Sequence, residues 1–459
     1  MSFLHGIEFV EGDRISAIRV RNASIIGLVG TATKGPLNSP IIITSEKDGK
    51  TIFGTNMNST IPKALEAIFK QGKNVGYVIV VNIGTDKESV KNELGIFDVD
   101  NKVILVHHPI IQGSLTVKSG NDGRPFFENI DYVVDYDNGV ITRVAGHIGD
   151  NEILSTYDYW TGDEVSPSVI VGEESADGKN TGIYALKNAE SLTGYKPKLL
   201  IAPYYSATET VARALLAVAG ELKGRAIIDV TQGATKEEAK TYRDKFDDLN
   251  LAICYPSVEV MPEGSEKLIT YDASAFVAGV WSRVINEKGY WYSPSNNKAN
   301  GITNLSRPID YIPDSSLCTA SYLNENEIMT FVKRDNAFYV WGNLSATSDE
   351  DYKFACVQIT RQVHQEALLA TVIKNLDKPI NKAWLENVQD TIQRFLNGEV
   401  GKGAIVYGKF ELLADDNPPE EVMNGHITGR WDWTPSYPAQ RLTFKETINI
   451  EELAKLFGN

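Results

Sequence analysis

Cysteine is scarce in this chain: three in 459 residues, Cys254, Cys318 and Cys356, each in an unrelated context. That builds neither a disulfide frame nor a zinc site, and it suits a reducing compartment. Histidine numbers only six, and no Ser/His/Asp grouping or metal-ligand spacing stands out among them. No apolar run approaches the ~18 residues of a membrane span; patches such as Val211 to Ala219 are broken by Arg213. The start, Met-Ser-Phe-Leu-His-Gly, lacks a basic segment leading into an apolar stretch, so no signal peptide is expected. Positive charge is in deficit: 45 Lys and Arg against 60 Asp and Glu leave a net −15. Phosphate contact needs clustered Lys and Arg, so direct binding to nucleic acid or to an anionic membrane surface is not expected.

What is present is ordinary globular composition, 42% hydrophobic and 23% charged, in a length that predicts about three domains. Residues Asp13 to Val20 alternate, with Ile18 and Val20 on one side and Arg19 and Arg21 on the other, the pattern of a half-buried strand. Ser24 to Val29 reads as a central strand and ends in a breaker-rich loop, Gly30 to Pro40. Thr60 is expected to cap a helix with Pro62 in its first turn and Ala64, Leu65, Ile68 and Phe69 as its buried stripe. Tyr77 to Ile83 is a further apolar strand, completing a βαβ unit.

The same rhythm resumes near Lys198. Strands are expected at Leu199 to Ala202, Ala226 to Val230 and Leu251 to Tyr255. Helices are expected from a Ser206/Glu209 capping box to Leu222, over Thr235 to Asp248 and over Ala273 to Asn286. The fold class is therefore α/β, a doubly wound sheet split by an insertion. That insertion, 86–180, carries short alternating strands at Leu115 to Lys118, Tyr132 to Asp135 and Val140 to Val144. Asn121-Asp122-Gly123 and Asp137-Asn138-Gly139 supply the turns, so a small all-β sandwich or barrel-like module is predicted.

From about Phe338 the pattern becomes α+β. A long helix is expected from Asp351 to about Leu376. A second, Asn381 to Leu396, has Trp384, Leu385, Val388, Ile392 and Phe395 on one face. Strands follow at Ala404 to Leu413, His426 to Trp433 and Arg441 to Ile450. The organisation read from the chain is an arm at 1–22, core parts at 23–85 and 181–337 around the insertion, and a C-terminal domain at 338–459 with its own arm from about 436. Both arms read as strands without an adjacent hairpin partner, and such strands either fold back on their own domain or pair with another chain.

Catalytic signals are weak. Gly30-Thr-Ala-Thr-Lys-Gly35 has the glycine spacing of a phosphate-binding loop, but Pro36 and Leu37 stand where Lys and Ser/Thr are required, which makes it a turn. His107-His108 point to opposite faces of a strand and are read as structural. His364 and Glu366, two apart in a helix, do not face each other. Trp431 and Trp433 share a strand face, an arrangement that serves a carbohydrate platform or, more simply, packing. No cofactor or metal site is expected.

The order of motifs resembles the tail sheath proteins of contractile phage tails and related injection machines. The resemblance rests on Ala23-Ser-Ile-Ile-Gly-Leu-Val-Gly-Thr-Ala-Thr-Lys-Gly-Pro-Leu-Asn-Ser-Pro, then Ile41-Ile-Ile-Thr-Ser and Ile52-Phe-Gly. Further along it rests on Asp131 to Arg143, on Gly342-Asn, on the helix pair, and on Leu442 to Ile450 before a short Glu451 to Phe457 helix. It spans essentially the whole chain. It implies a core of subtilisin-like topology without proteolysis, and a structural subunit of hexameric rings stacked helically around an inner tube, placed in the virion tail. Tube, baseplate and tail terminator proteins are the implied partners. It further implies that arm strands, Arg14, Ile15, Ile18 and Val20 at one end and Leu442, Phe444, Ile448 and Ile450 at the other, insert into neighbouring subunits. The acceptor would be a hairpin with Ile405, Tyr407, Phe410, Ile427, Trp431 and Trp433. Hinges are expected around Ala23 and Pro435 to Pro438. Lys374, Lys378 and Lys382, clustered at the helix junction, are expected to touch an acidic tube surface; a solvated basic turn is the plainer reading. The alternatives are a subtilisin-topology hydrolase and a tail-surface carbohydrate binder acting through the insertion. The insertion holds 18 acidic and 7 basic residues, so most of the −15 belongs to it, as expected of a module that faces water.

Overall fold

The computed structural model describes residues 23–459 apart from 85–86, 109, 112, 137, 145, 150, 161–164, 262–266, 451–452 and 454–459. The expected N-terminal arm strand, with Arg14, Ile15, Ile18 and Val20, lies outside the described residues.

A nine-stranded sheet forms the centre. Six of its strands run parallel, in the spatial order Val78–Asn82, Ile26–Gly30, Leu199–Ile201, Arg225–Asp229, Leu251–Cys254 and Ile328–Arg334. Ile41–Ile43 closes one edge antiparallel, and Ala337–Trp341 followed by Lys298–Ala299 closes the other. Every residue of Ile26–Gly30, Val78–Asn82 and Arg225–Asp229 is buried, as a sheet covered on both faces requires. The helices Thr60–Phe69 and Ala273–Lys288 bury Ile61, Ile68, Phe276 and Trp281 against one face. Glu209–Glu221 and Lys236–Arg243 bury Val211, Leu215, Val218 and Tyr242 against the other. Gly279 sets the spacing of the first pair, because a Cβ there would stand 2.9 Å from the Ile68 carbonyl oxygen.

Two helix starts differ from expectation. Ser59, not Thr60, holds the N-cap position; the Thr60 hydroxyl instead accepts the Thr31 N–H at 2.9 Å and fastens the breaker-rich loop to the helix. Ser206 and Glu209 form no capping box, because Ser206 Oγ is turned to Asp229. The box belongs to the next helix, where the Thr235 side chain accepts the Glu238 N–H and Glu238 accepts the Thr235 N–H.

The insertion consists of two small sheets around Val103, Ile141, Ile153 and Tyr157. The hairpin Tyr132–Asp135 with Val140–Arg143 is one part. The frame is a ladder that alternation did not reveal: Lys87–Ile96 pairs with Glu152–Trp160 along its length, so the chain enters and leaves the module side by side. Val165 and Ile170 already pack into the core, which places the end of the module before 180.

The expected boundary near 338 falls inside Ala337–Trp341, a strand of the central sheet. The helix that follows, Ala355–Val372, starts within the core through Ala355, Ile359 and Val363. A separate cluster of Ala367, Val388, Ile392, Phe395, Leu396 and Ile405 then builds the C-terminal unit. Its second helix, Lys382–Lys402, is capped by Asn381, whose side chain accepts the Trp384 N–H at 2.9 Å.

Candidate assembly interface

The strands Ile405–Glu411 and Arg430–Pro435 form an antiparallel sheet of two strands lying on the helix Lys382–Lys402. Two strands alone are marginal in water, so this hairpin owes its stability to the helix beneath it. Ile405 is fully buried; Phe410, Trp431 and Trp433 pack inward at half-burial, while Tyr407 is exposed. Ile427 does not belong to the ladder. The connection claims it: the Asn417 side chain accepts the Thr428 N–H at 2.7 Å and donates to the Thr428 carbonyl at 2.8 Å, holding that stretch away from strand geometry.

His364 lies fully buried under the hairpin. Trp431 and Trp433 stack on each other with centroids 5.7 Å apart, and the imidazole meets Phe395 at 5.3 Å and Trp433 at 5.6 Å. Its Nε2 faces Tyr290 Oη at 3.2 Å and Glu399 Oε2 at 3.5 Å. Glu399 also accepts from Tyr290 Oη and pairs with Lys402 at 2.7 Å. Burial pushes the Glu399 carboxyl up, but the bonds from His364, Lys402 and Tyr290 outweigh it and hold it at about 2. Burial, and then the Glu399 carboxylate, raise the Tyr290 hydroxyl. The two indoles that suggested a sugar platform are thus turned onto a histidine.

The chain just beyond the hairpin is docked on the body. Ser436 Oγ donates to the Gly403 carbonyl at 2.8 Å, the Tyr437 ring meets Phe354 edge-on at 6.0 Å, and Gln440 Nε2 donates to Asn343 Oδ1 at 3.3 Å. The expected hinge at Pro435 to Pro438 is therefore a strap on the body. At the other end Ala23 is 5% exposed and part of the core, so it is no hinge either. Arg441 to Ile450, expected as a strand, forms no ladder among the described residues. Leu442, Phe444, Ile448 and Ile450 are 77%, 89%, 82% and 70% exposed, an alternating apolar row presented to solvent.

Lys374, Lys378 and Lys382 are exposed at the tip between the two C-terminal helices. Lys378 donates to Asn375 Oδ1 at 3.2 Å, and Lys382 lies 3.8 Å from Glu386. Leu369, Ile373 and Leu376 are exposed on the same tip, so the surface is mixed rather than purely basic.

Asp229, Ser206 and Ser274 come together at the carboxyl end of a core strand, a grouping no motif announced. Asp229 accepts the Ser274 N–H at 2.7 Å and the Ser274 hydroxyl at 2.5 Å. Burial, then the nearby Asp272, raise its carboxyl well above the usual range. All three side chains are inaccessible to a substrate. The histidines of the described residues sit elsewhere, in the insertion, under the hairpin and in its connection. Among the described residues no three His, Cys, Asp or Glu side chains are placed to hold a metal, and no helix is long and apolar enough to cross a membrane.

Comparison with known proteins gives a consistent picture. Residues 178–346 match the phage tail sheath protein central domain, and residues 23–83 match the tail sheath protein Gp18 domain III N-terminal region. The tail sheath protein of Burkholderia phage BcepMu is 32% identical over 100% of this chain and 99% of its own. That of Escherichia phage P2 is 25% identical, covering 98% and 97%. Among solved structures, the anti-feeding prophage helical sheath in its contracted state superposes with a TM-score of 0.62 at 16% identity, over 98% of this chain and 100% of that one. The sheath complex of the extracellular contractile injection system PVC gives 0.59 at 13%, with the same coverage.

Proposed function

The chain belongs to the phage tail sheath family, and from that premise we propose that it polymerises helically around an inner tail tube and contracts to drive that tube through a host envelope. The family is structural, a component of contractile tails. The observation that carries the proposal is the exposed row Leu442, Phe444, Ile448 and Ile450, which forms no ladder among the described residues, while among those residues a two-stranded hairpin has no partner strand on either edge. Main-chain pairing between such an arm and a neighbour's hairpin is a recognised mode of association. A head-to-tail contact of this kind builds an open helix wherever its rotation does not close into a ring.

In this reading Ile405, Tyr407, Phe410, Trp431 and Trp433 form the acceptor, with Ile427 in its connection. The segment containing Arg14, Ile15, Ile18 and Val20 supplies the second arm. Lys374, Lys378 and Lys382, with Leu369, Ile373 and Leu376, meet the tube. The core moves as a rigid body between two packings, the extended one metastable, with the arms as permanent links. Baseplate and terminator proteins cap the two ends of the polymer, and the acidic insertion projects into solvent.

Electron microscopy of the purified chain is the test. Tubes or stacked rings are expected from the full chain and monomers from a truncation after Gln440; tubes from the truncated protein remove the arm from the mechanism.

A further inference from the structure

Gln393, on the helix Lys382–Lys402, occupies the outer edge of the strand Ile405–Glu411. The Phe410 N–H donates to its Oε1 at 2.9 Å, and its Nε2 donates to the Gly408 carbonyl at 3.0 Å. Nε2 also donates to Asn397 Oδ1 at 2.9 Å, one turn along the helix, which fixes the plane of the amide. One donor and one acceptor offered to residues two apart on a strand reproduce what the backbone of an adjacent strand offers. Gly408 makes the approach feasible: a Cβ there would stand 2.9 Å from Ile405 Cδ1 and 3.0 Å from Leu396 Cβ, forcing the strand off the helix. Among the described residues, the edge along Arg430–Pro435 has no partner strand and no such side-chain cover.

We infer that Gln393 is a placeholder, closing one edge of the acceptor hairpin until an extended strand from a second copy of this chain displaces it. The hairpin then fills in order, the Arg430–Pro435 edge first and the Ile405–Glu411 edge after the amide swings out. An exposed edge is a template for unplanned pairing, and a side chain that satisfies it in the free subunit restrains association until a better partner arrives. The incoming strand must bring both a backbone N–H and a carbonyl to Phe410 and Gly408. The inference rests on the arm-and-hairpin reading above and adds its regulation.

The test is the assembly rate of the purified full-length chain, followed by light scattering, for wild type, Gln393→Met and Gln393→Glu. Met has similar bulk and neither bond; Glu keeps the acceptor for Phe410 and loses the donor for Gly408. Nucleated assembly is expected to quicken about tenfold for Met, the equivalent of about 1.4 kcal/mol, and by less for Glu. Circular dichroism melting checks that each variant is folded, and the Glu variant carries the test if the Met variant is not. Equal rates among folded variants, or slower assembly without the amide, overturn the placeholder. The truncation after Gln440, run in parallel, keeps the two ideas apart. Assembly that ignores the truncation defeats the arm reading, whereas arm-dependent assembly indifferent to residue 393 defeats only the placeholder.

Discussion

Lys198 and Glu366 meet at 2.5 Å, each less than a tenth exposed, and join the start of the strand Leu199–Ile201 to the helix Ala355–Val372. The ammonium also donates to the carbonyls of Leu222 at 2.8 Å and Lys223 at 3.1 Å, so its three donors are met. Removing one partner leaves the other charge buried. Glu366→Leu is expected to destabilise by about 3 kcal/mol or more. The double variant Lys198→Met with Glu366→Leu should recover most of that in urea unfolding; a double variant worse than either single one would show that the pair is not the source of the loss.

Two buried carboxyls predict pH dependences of opposite sign. Glu399 is held at about 2, below its unfolded value near 4.3. Its contribution, of order 3 kcal/mol, is complete above that value and is lost as pH falls through it towards 2. The stability gap between wild type and Glu399→Gln should therefore shrink below pH ~4.3.

Asp229 runs the other way. Its carboxyl is raised in the folded state, so its favourable contribution is present below the unfolded value near 3.9 and is lost as pH rises through the folded one. Against Asp229→Asn, wild type should gain relative stability on acidification from pH 7 to 4. A flat difference across that range would contradict a raised Asp229 carboxyl.

The arm's apolar row is largely exposed in the isolated chain. Phe444→Asp with Ile448→Asp is expected to leave the monomer's melting temperature unchanged, because both side chains are more than 80% exposed, and to abolish polymers in the microscope. A shift in monomer melting would place the arm on its own body.

Charge reversal at Lys374, Lys378 and Lys382 should alter stability by no more than about 0.5 kcal/mol, as surface changes do. It should reduce tube-filled sheath relative to empty sheath. Unaltered filling would return these lysines to the role of a solvated turn.

Much of the core was legible because its strands are buried on both faces and read as apolar runs between breakers, Ile26–Gly30 and Val78–Asn82 above all. The edge hairpin Ile328–Arg334 with Ala337–Trp341 is not legible in this way, and the domain boundary expected near 338 falls inside it. Its Asp335-Asn336 turn, both residues at positive φ, carries no glycine to announce it. Lys87–Ile96 with Glu152–Trp160 escaped because its strands pair across more than fifty residues and the first is strongly polar. In the candidate interface the shared face of Trp431 and Trp433 was legible in the alternation, whereas 441–450, which alternates as a strand does, forms none among the described residues. Gln393, Glu399 and Gln440 were not legible, since a polar residue's partner is set by tertiary approach; Gly408, a lone glycine within a strand, was the one local signal for the close contact.

The strap from Ser436 to Gln440 turns the arm into a ruler. Gln440 is fastened to Asn343, so the reach of the proposed arm is measured from there. A fully extended chain spans at most ~3.6 Å per residue, so Ile450 lies within roughly 36 Å of the docking point. In the proposed assembly, a neighbour that takes up the arm must present its hairpin inside that radius in both packings. If the proposed arm exchange holds, the lattice spacing of an assembled tail is bounded by a tether of fixed length, written into each copy by where its docked segment stops.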